Sequence, residues 1–484
     1  MPFVGLIRKL ASQTAVYGLS SMLGRFINFL LVIPHTEYLK TVGAYGDITT
    51  IFAFMAFFNI LLTYGMETSF FNFIRNGSDP DSVFSVAQKS LLFTTLVFAV
   101  VVLLFTAQSA AFMGFPGNTE YVYCCLIFLV FDTLSALPFA RIRYEEKPLK
   151  FALIKLINIG VNVTLNVYLL TNTPEFLKAY SQVTLILIAN AAASLSSFLL
   201  LSPLAFRIRG VFDKALFRQM LSYAWPLIFV GLAGIVNETL DRTLLKRMLP
   251  AAEGSYQNGI YGAFYKLTMV MTMFIQAFRF AAEPLFFKQK ESTDSRADYA
   301  VVMYWFIGVC NLIFLACMFF IDELAHLFIR KQAFFENPDG LMIVPILLMA
   351  NMFLGIYYNL SIWYRFTGNT RLGAAIAIGG ALLTIALNIL FIPAFGFVAC
   401  AWITLGVYAA MCIASYIMGA RHYPVPYHLT RYAVLIAAAT GFWLAGSKLT
   451  GHISVIWQQI TINVLMLSLM VLIIWMLQPK RKNA

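Results

Sequence analysis

The hexapeptide Asn237-Glu238-Thr239-Leu240-Asp241-Arg242 closes the apolar run Trp225 to Val236 with two carboxylates and a guanidinium spaced i, i+3 and i+4. On a helix that spacing puts all three on one face, with Glu238 and Arg242 in reach of each other. A charge at the centre of a membrane helix costs roughly 2.5 to 3.5 kcal/mol, so such groups face protein or trapped water. The trio therefore serves either as a coupling or gating site in a wet cavity or as a salt bridge tying its helix to a neighbour. Arg25, in Ser20-Ser21-Met22-Leu23-Gly24-Arg25-Phe26, lies near the middle of another apolar run, with Gly24 and Ser21 leaving space beside it. Its guanidinium is always charged. A fixed cation of this kind suits a phosphate through paired hydrogen bonds, or else it pairs with an acidic residue of a neighbouring helix.

The remaining ionisable residues within apolar runs are few. Lys266 and Arg279 either extend a cationic track or snorkel towards a membrane surface. Asp132 is a proton site or a partner for Arg25, Lys155 snorkels, and Glu67 and Glu283 read as gating or capping groups at helix ends. Asn166 and Asn388 serve helix packing, with a share in holding a cation as the other use of Asn388.

The elements that position these groups are membrane helices. Of 484 residues 60% are hydrophobic and 12% charged, and mean hydropathy is +0.78, values of an integral membrane protein. About 20 apolar residues cross some 30 Å of hydrocarbon, and fourteen runs of that length are expected, at 12–35, 43–65, 86–106, 120–140, 150–171, 180–203, 219–241, 258–280, 299–320, 341–364, 372–392, 396–418, 430–447 and 455–477. The first is a retained helix because no small-residue cleavage site follows the basic start. Placing the N-terminus inside puts 22 Lys and Arg in inner segments and 7 in outer ones, with Arg25, Lys155, Arg242, Lys266 and Arg279 inside or at the ends of spans. The positive-inside rule then sets both termini in the cytoplasm. Connections are short, leaving no room for a folded extramembrane domain.

An internal repeat organises the spans. Residues 43–71 and 259–287 align without a gap, and Gly43, Tyr45, Gly46, Glu67, Phe70 and Phe71 meet identical residues 216 positions later. A second register, offset by 222, pairs Arg143 with Arg365, Leu165 with Leu387 and Asn166 with Asn388. Six spans per repeat keep both halves in one orientation, a parallel repeat about the membrane normal. The expected architecture is all-α: an N-lobe over 1–210, a C-lobe over 211–420 and two extra helices over 421–484. Most intramembrane charge falls on spans 1, 2, 7 and 8, which are equivalent in the repeat and are expected to line a central wet cavity.

The six cysteines, all within spans, read as buried free thiols. The five histidines read as loop or span-edge residues. No phosphate-cradling glycine loop, metal-spaced histidine set or Ser/His/Asp set is visible, so neither an enzyme nor a self-powered nucleotide-driven pump is expected.

The phrases GMETSFF, NETLDRTLL, QNGIYGAFYKL, FIQAFRFAAEPLFF and LGIYYNLSIWYRFTGNTRLGA closely resemble the polysaccharide-transport branch of the MATE-like multidrug and oligosaccharide flippase superfamily, over nearly the whole chain. The resemblance implies a bilobal transporter that carries an undecaprenyl-pyrophosphate-linked oligosaccharide to the outer leaflet by alternating access. It implies that Arg25, with Arg242, Lys266 and Arg279 as further cations, receives the pyrophosphate. By location it implies that Glu238, Asp241 and Asn388 correspond to a cation site, giving coupling to H+ or Na+ without another cofactor. Implied partners are the lipid-linked substrate, the bilayer of the cytoplasmic membrane, and glycosyltransferases and a polymerase of one pathway, with the chain itself a monomer. A proton- or sodium-coupled multidrug exporter shares this architecture and stands as the alternative.

Overall fold

In the computed structural model, residues 22–208, 210–288, 295–450, 453 and 455–479 are described, with side chains described except at 280–288, 295, 450 and 456. The early part of the first expected span and the basic C-terminal residues 480–484 lie outside the described residues. The described chain is helical with short connections: α1 (22–30), α2 (Val32–Tyr38), α3 (Val42–Thr63), α4 (Met66–Arg75), α5 (Pro80–Leu104), α6 (Thr106–Phe112), α7 (Thr119–Tyr144), α8 (Pro148–Thr171), α9 (Gln182–Ala205), α10 (Lys214–Met248), α11 (Ala251–Leu267), α12 (Met269–Lys288), α13 (Ser295–Phe319), α14 (Ile321–Phe328), α15 (Asp339–Leu360), α16 (Ile362–Phe366), α17 (Thr370–His422), α18 (Leu429–Thr450) and α19 (Ile456–Met476).

Side-chain caps start several of these helices by accepting from orphan backbone N–H groups. Thr41 caps α3, Asp79 caps α5 with Pro80 in the first turn, Ser181 caps α9, and Asp213 caps α10. Between α3 and α4 the chain turns through Tyr64 and Gly65, both at positive φ. Glycine suits that conformation, since it lacks the Cβ that penalises it.

Eleven helices are long and apolar enough to span a membrane among the described residues, fewer than the fourteen expected. Part of span 1 lies outside the described residues. Span 8 is divided between α11 and α12, on either side of Thr268. Spans 11 and 12 are two helices within α17 that meet at Gly396, where φ is +56° and ψ is −140°. A Cβ at 396 would sit 2.0 Å from Gln257 Oε1, which accepts from the Phe397 backbone N–H at 3.1 Å. These two spans are therefore joined by a kink at a single glycine instead of a loop.

Contacts divide the chain into two compact units, one comprising Met1–Ala263, Lys331–Phe334 and Asn388–Phe397, the other the remainder. Spans 1 to 7 and most of α11 thus belong to the first unit, whereas the sequence repeat turns over near 210. One core of the first unit is built from Met66, Phe70, Phe84, Leu91, Leu137 and Met220. In the second unit α13 meets α15 where a Cβ on Gly355 would lie 2.4 Å from the Phe306 ring. There the buried Tyr304 donates to the Ile474 carbonyl at 2.5 Å. Large apolar side chains such as Phe93, Leu104, Leu390 and Trp475 are more than 60% exposed, as expected of surfaces solvated by lipid.

Candidate functional site

Within the first unit, α3 crosses α11 through glycines. A Cβ on Gly46 would lie 1.9 Å from the Ser255 carbonyl oxygen, and one on Gly259 would lie 2.1 Å from that of Val42. Gly262 faces Thr49, whose Oγ1 would be 2.7 Å from an added Cβ. Removing side chains lets two backbones approach, the way membrane helices associate when no hydrophobic drive separates lipid from protein. Gly43 and Gly46 are the repeat counterparts of Gly259 and Gly262, so equivalent segments of the two repeats lie against each other.

The crossing is polar as well as close. Asn258 donates to Thr50 Oγ1 at 2.6 Å, to the Arg242 carbonyl at 3.1 Å and to the Gly46 carbonyl at 3.3 Å. Tyr261 donates to Asp241 Oδ2 at 2.6 Å, and the backbone N–H of Arg242 donates to Asp241 Oδ1 at 2.8 Å. The Arg242 guanidinium donates to the Glu238 carbonyl at 2.8 Å and lies 5.7 Å from the centre of the Tyr261 ring. One turn on, Lys246 Nζ meets Asp47 Oδ1 at 2.9 Å, and Ser255 donates to the same oxygen at 2.7 Å. Lys246 also donates to Ser255 and stands 4.7 Å from the centre of the Phe115 ring. Three helices are tied here by bonds to charged groups, each worth roughly 1.5 to 3 kcal/mol.

Asp241 and Arg242 are buried, at 6% and 8% exposure, while Glu238 is exposed. Arg25 is exposed on α1, beside Gly24, whose missing side chain makes room for Ile159 of α8. No ion pair to Arg25 is found among the described residues. Lys266 is half-buried, and Arg279 is exposed with its guanidinium 4.2 Å from the centre of the Tyr358 ring. Glu67 pairs with Arg143, which also lies 5.1 Å from the centre of the Phe71 ring. The backbone of Glu283 belongs to α12, and its side chain lies outside the described residues. Asp132 is half-buried on α7. Lys155 stacks over Phe139 at 4.3 Å. Asn388 is buried on α17.

At the end of α7, Arg141 bonds Asp81 at 2.6 Å and Glu145 at 2.8 Å, and Lys147 reaches Glu145 at 2.6 Å. Partial burial raises the Glu145 carboxyl, but the bonds and charges of Lys147 and Arg141 outweigh it and hold the carboxyl below its ordinary range.

Two features escaped sequence reasoning. Lys246 counted only as an outer-loop charge, although its position four residues after Arg242 continues the same helix face; it is buried and paired. His35, read as a span-edge residue, is 7% exposed. It joins Asn166 at 3.0 Å, Asn166 donates to Asn162 Oδ1 at 2.7 Å, and Asn162 reaches Asn28 at 3.4 Å. The i, i+4 asparagines on α8 were the signal available for this buried file.

Residues 10–290 match the family described as "Polysaccharide biosynthesis protein". An uncharacterized membrane protein of Methanocaldococcus jannaschii is 23% identical over 211 residues, 41% of this chain and 48% of that protein, so the match spans about half of that relative. Among solved structures, the lipid II flippase MurJ in an inward closed conformation has a TM-score of 0.74 at 14% identity, covering 95% of this chain and 98% of that one. An inward-facing multidrug resistance MATE family transporter of the MOP superfamily has a TM-score of 0.60 at 13% identity, covering 86% and 97%. The MATE multidrug transporter DinF-BH has a TM-score of 0.61 at 12% identity, covering 86% and 96%. At these identities the likeness is one of fold: a polytopic bundle of membrane helices.

Proposed function

The chain belongs to the polysaccharide biosynthesis protein family, and from that premise we propose that it is a flippase carrying an undecaprenyl-pyrophosphate-linked oligosaccharide from the inner to the outer leaflet of the cytoplasmic membrane. The observation that carries this reading is Arg25: a permanent cation within an apolar helix, exposed, and with no acidic partner among the described residues. The glycan headgroup is too polar to cross hydrocarbon. A wet cavity lined by spans 1, 2, 7 and 8 shelters it, the Arg25 guanidinium takes the pyrophosphate by paired hydrogen bonds, and the polyprenyl tail stays in lipid. Access alternates as the crossing of α3 with α10 and α11 closes and opens. The membrane potential supplies about 2.3 kcal/mol per charge per 100 mV, with H+ or Na+ as the coupling ion at Glu238, Asp241 and Asn388. Both termini are cytoplasmic, the protein works as a monomer beside the glycosyltransferases and polymerase of its pathway, and it makes no covalent change to its cargo.

Replacing Arg25 by Ala is expected to abolish export of surface polysaccharide, with lipid-linked glycan accumulating in the inner leaflet while the protein level in the membrane is unchanged. Normal export by that variant would refute the assignment. Coupled multidrug export is the second reading, favoured by the fold shared with MATE transporters. It predicts that expression confers drug resistance and that loss of the protein leaves surface glycan intact.

A further inference from the structure

A cavity of about 240 Å³ opens in the first unit among α3, α5, α6 and α7. Its walls include Phe58, Phe98, Val102 and Leu126, and the Phe58 and Phe98 rings lie 5.7 Å apart. On α7 the lining residues Val122, Cys125, Leu126 and Leu129 follow i, i+3, i+4 and i+7. They form one stripe about 10 Å long at 1.5 Å per residue. The space is thus a slot running along the helices, with Gln108 and Ser109 as its polar lining at the α6 end.

A cation stands at that same end. The Arg247 guanidinium lies 4.5 Å from the centre of the Phe112 ring and 5.8 Å from that of Phe54. Phe112 itself lines the slot. Arg247 is exposed, and among the described residues no carboxylate pairs with it. Asp47 is engaged by Lys246 and Ser255, and Glu120 by Asn118 at 3.2 Å. An exposed arginine held on two aromatic rings has little rotamer freedom left to lose on binding an anion, and its planar fork matches phosphate oxygens.

An apolar slot at membrane depth with a fixed guanidinium at one end has the shape of an amphiphile. We propose that this is a binding site for an anionic phospholipid of the bilayer, its phosphate on Arg247, its ester region at Gln108 and Ser109, and one acyl chain in the slot between α3, α5 and α7. The site lies on the first unit alone and does not depend on the transport reading. A lipid there braces α6 against α3 and α7, beside the α10 end that carries Lys246.

The test uses the full chain, purified in detergent and stripped of lipid, then offered phosphatidylglycerol, phosphatidylcholine with the same acyl chains, or a polyprenyl monophosphate, with bound lipid read by native mass spectrometry. Phosphatidylglycerol is expected to be retained at least about tenfold over phosphatidylcholine. R247Q should abolish that preference while leaving weak, headgroup-independent retention. V102W, which fills a half-buried wall of the slot, should lower retention of both phospholipids and serves should R247Q fail to fold. Equal retention of the two phospholipids by the wild-type chain would overturn the proposal, as would a preference unchanged in both variants. Displacement of phosphatidylglycerol by an equimolar amount of the polyprenyl phosphate would overturn it too, assigning the slot to a polyprenyl lipid instead.

Discussion

Lys246 and Asp47 pose the sharpest energetic question at the scale of single residues. The lysine side chain is 7% exposed and the aspartate 23%, so each charge has surrendered much of its hydration and depends on the other. Removing one partner of a buried pair strands the second, at a cost of about 3 kcal/mol or more; replacing both with neutral groups of similar size avoids that penalty. Lys246→Met alone should therefore lower thermal stability in detergent markedly, and Asp47→Asn added to it should restore most of the loss. A double variant as unstable as the single one would mean that the pair acts through packing of the lysine stem instead of charge. Asp241 is held by the Tyr261 hydroxyl and the Arg242 backbone N–H, with the Arg242 guanidinium farther off at 3.9 Å, so a neutral Asn at 241 keeps part of its bonding and should cost less.

Among the elements, the glycine crossing sets how closely α3 and α11 approach. A Cβ at Gly46 has only backbone to meet, at 1.9 Å, and backbone cannot swing aside as a flexible side chain does. Gly46→Ala should push α3 off α11 at a cost of about 1 to 3 kcal/mol. Gly234→Ala on α10, where nothing lies within 4 Å, should be neutral or stabilising because alanine outranks glycine in a helix. Comparing the two melting temperatures checks the crossing: equal effects would place no close approach at Gly46. The sequence made the helices and the repeat legible, since hydropathy and identity at fixed offsets are local properties of the string. It aligned Gly43 and Gly46 with Gly259 and Gly262 but did not say that the aligned segments touch, which depends on how the repeats pack. Burial of Lys246 and His35 was hidden for the same reason: a charge near a span end reads as solvated until the partner helix is known. Spans 11 and 12 were separable in the string, but the way they join was not: Gly396 has no loop signature, only a neighbour, Gln257, that leaves no room for a side chain.

Orientation is a property of the whole molecule, and it rests on the charge asymmetry of 22 inner against 7 outer Lys and Arg. The described connections offer two places to test it. Asn76, exposed after α4, belongs to a connection expected inside, and Asn172, exposed after α8, to one expected outside. In a variant with the six native cysteines replaced, Asn172→Cys should react with a membrane-impermeant maleimide in intact spheroplasts, and Asn76→Cys only after the membrane is opened. Those native thiols are free, five of them buried, so their replacement by Ala or Ser removes no cross-link. The reverse labelling pattern would invert the bundle. Arg25 would then meet its pyrophosphate from the leaflet where the cargo is released. The direction of transport proposed from the family therefore depends on this labelling result, while the packing of the first unit and the lipid slot on it are independent of which side faces the cytoplasm.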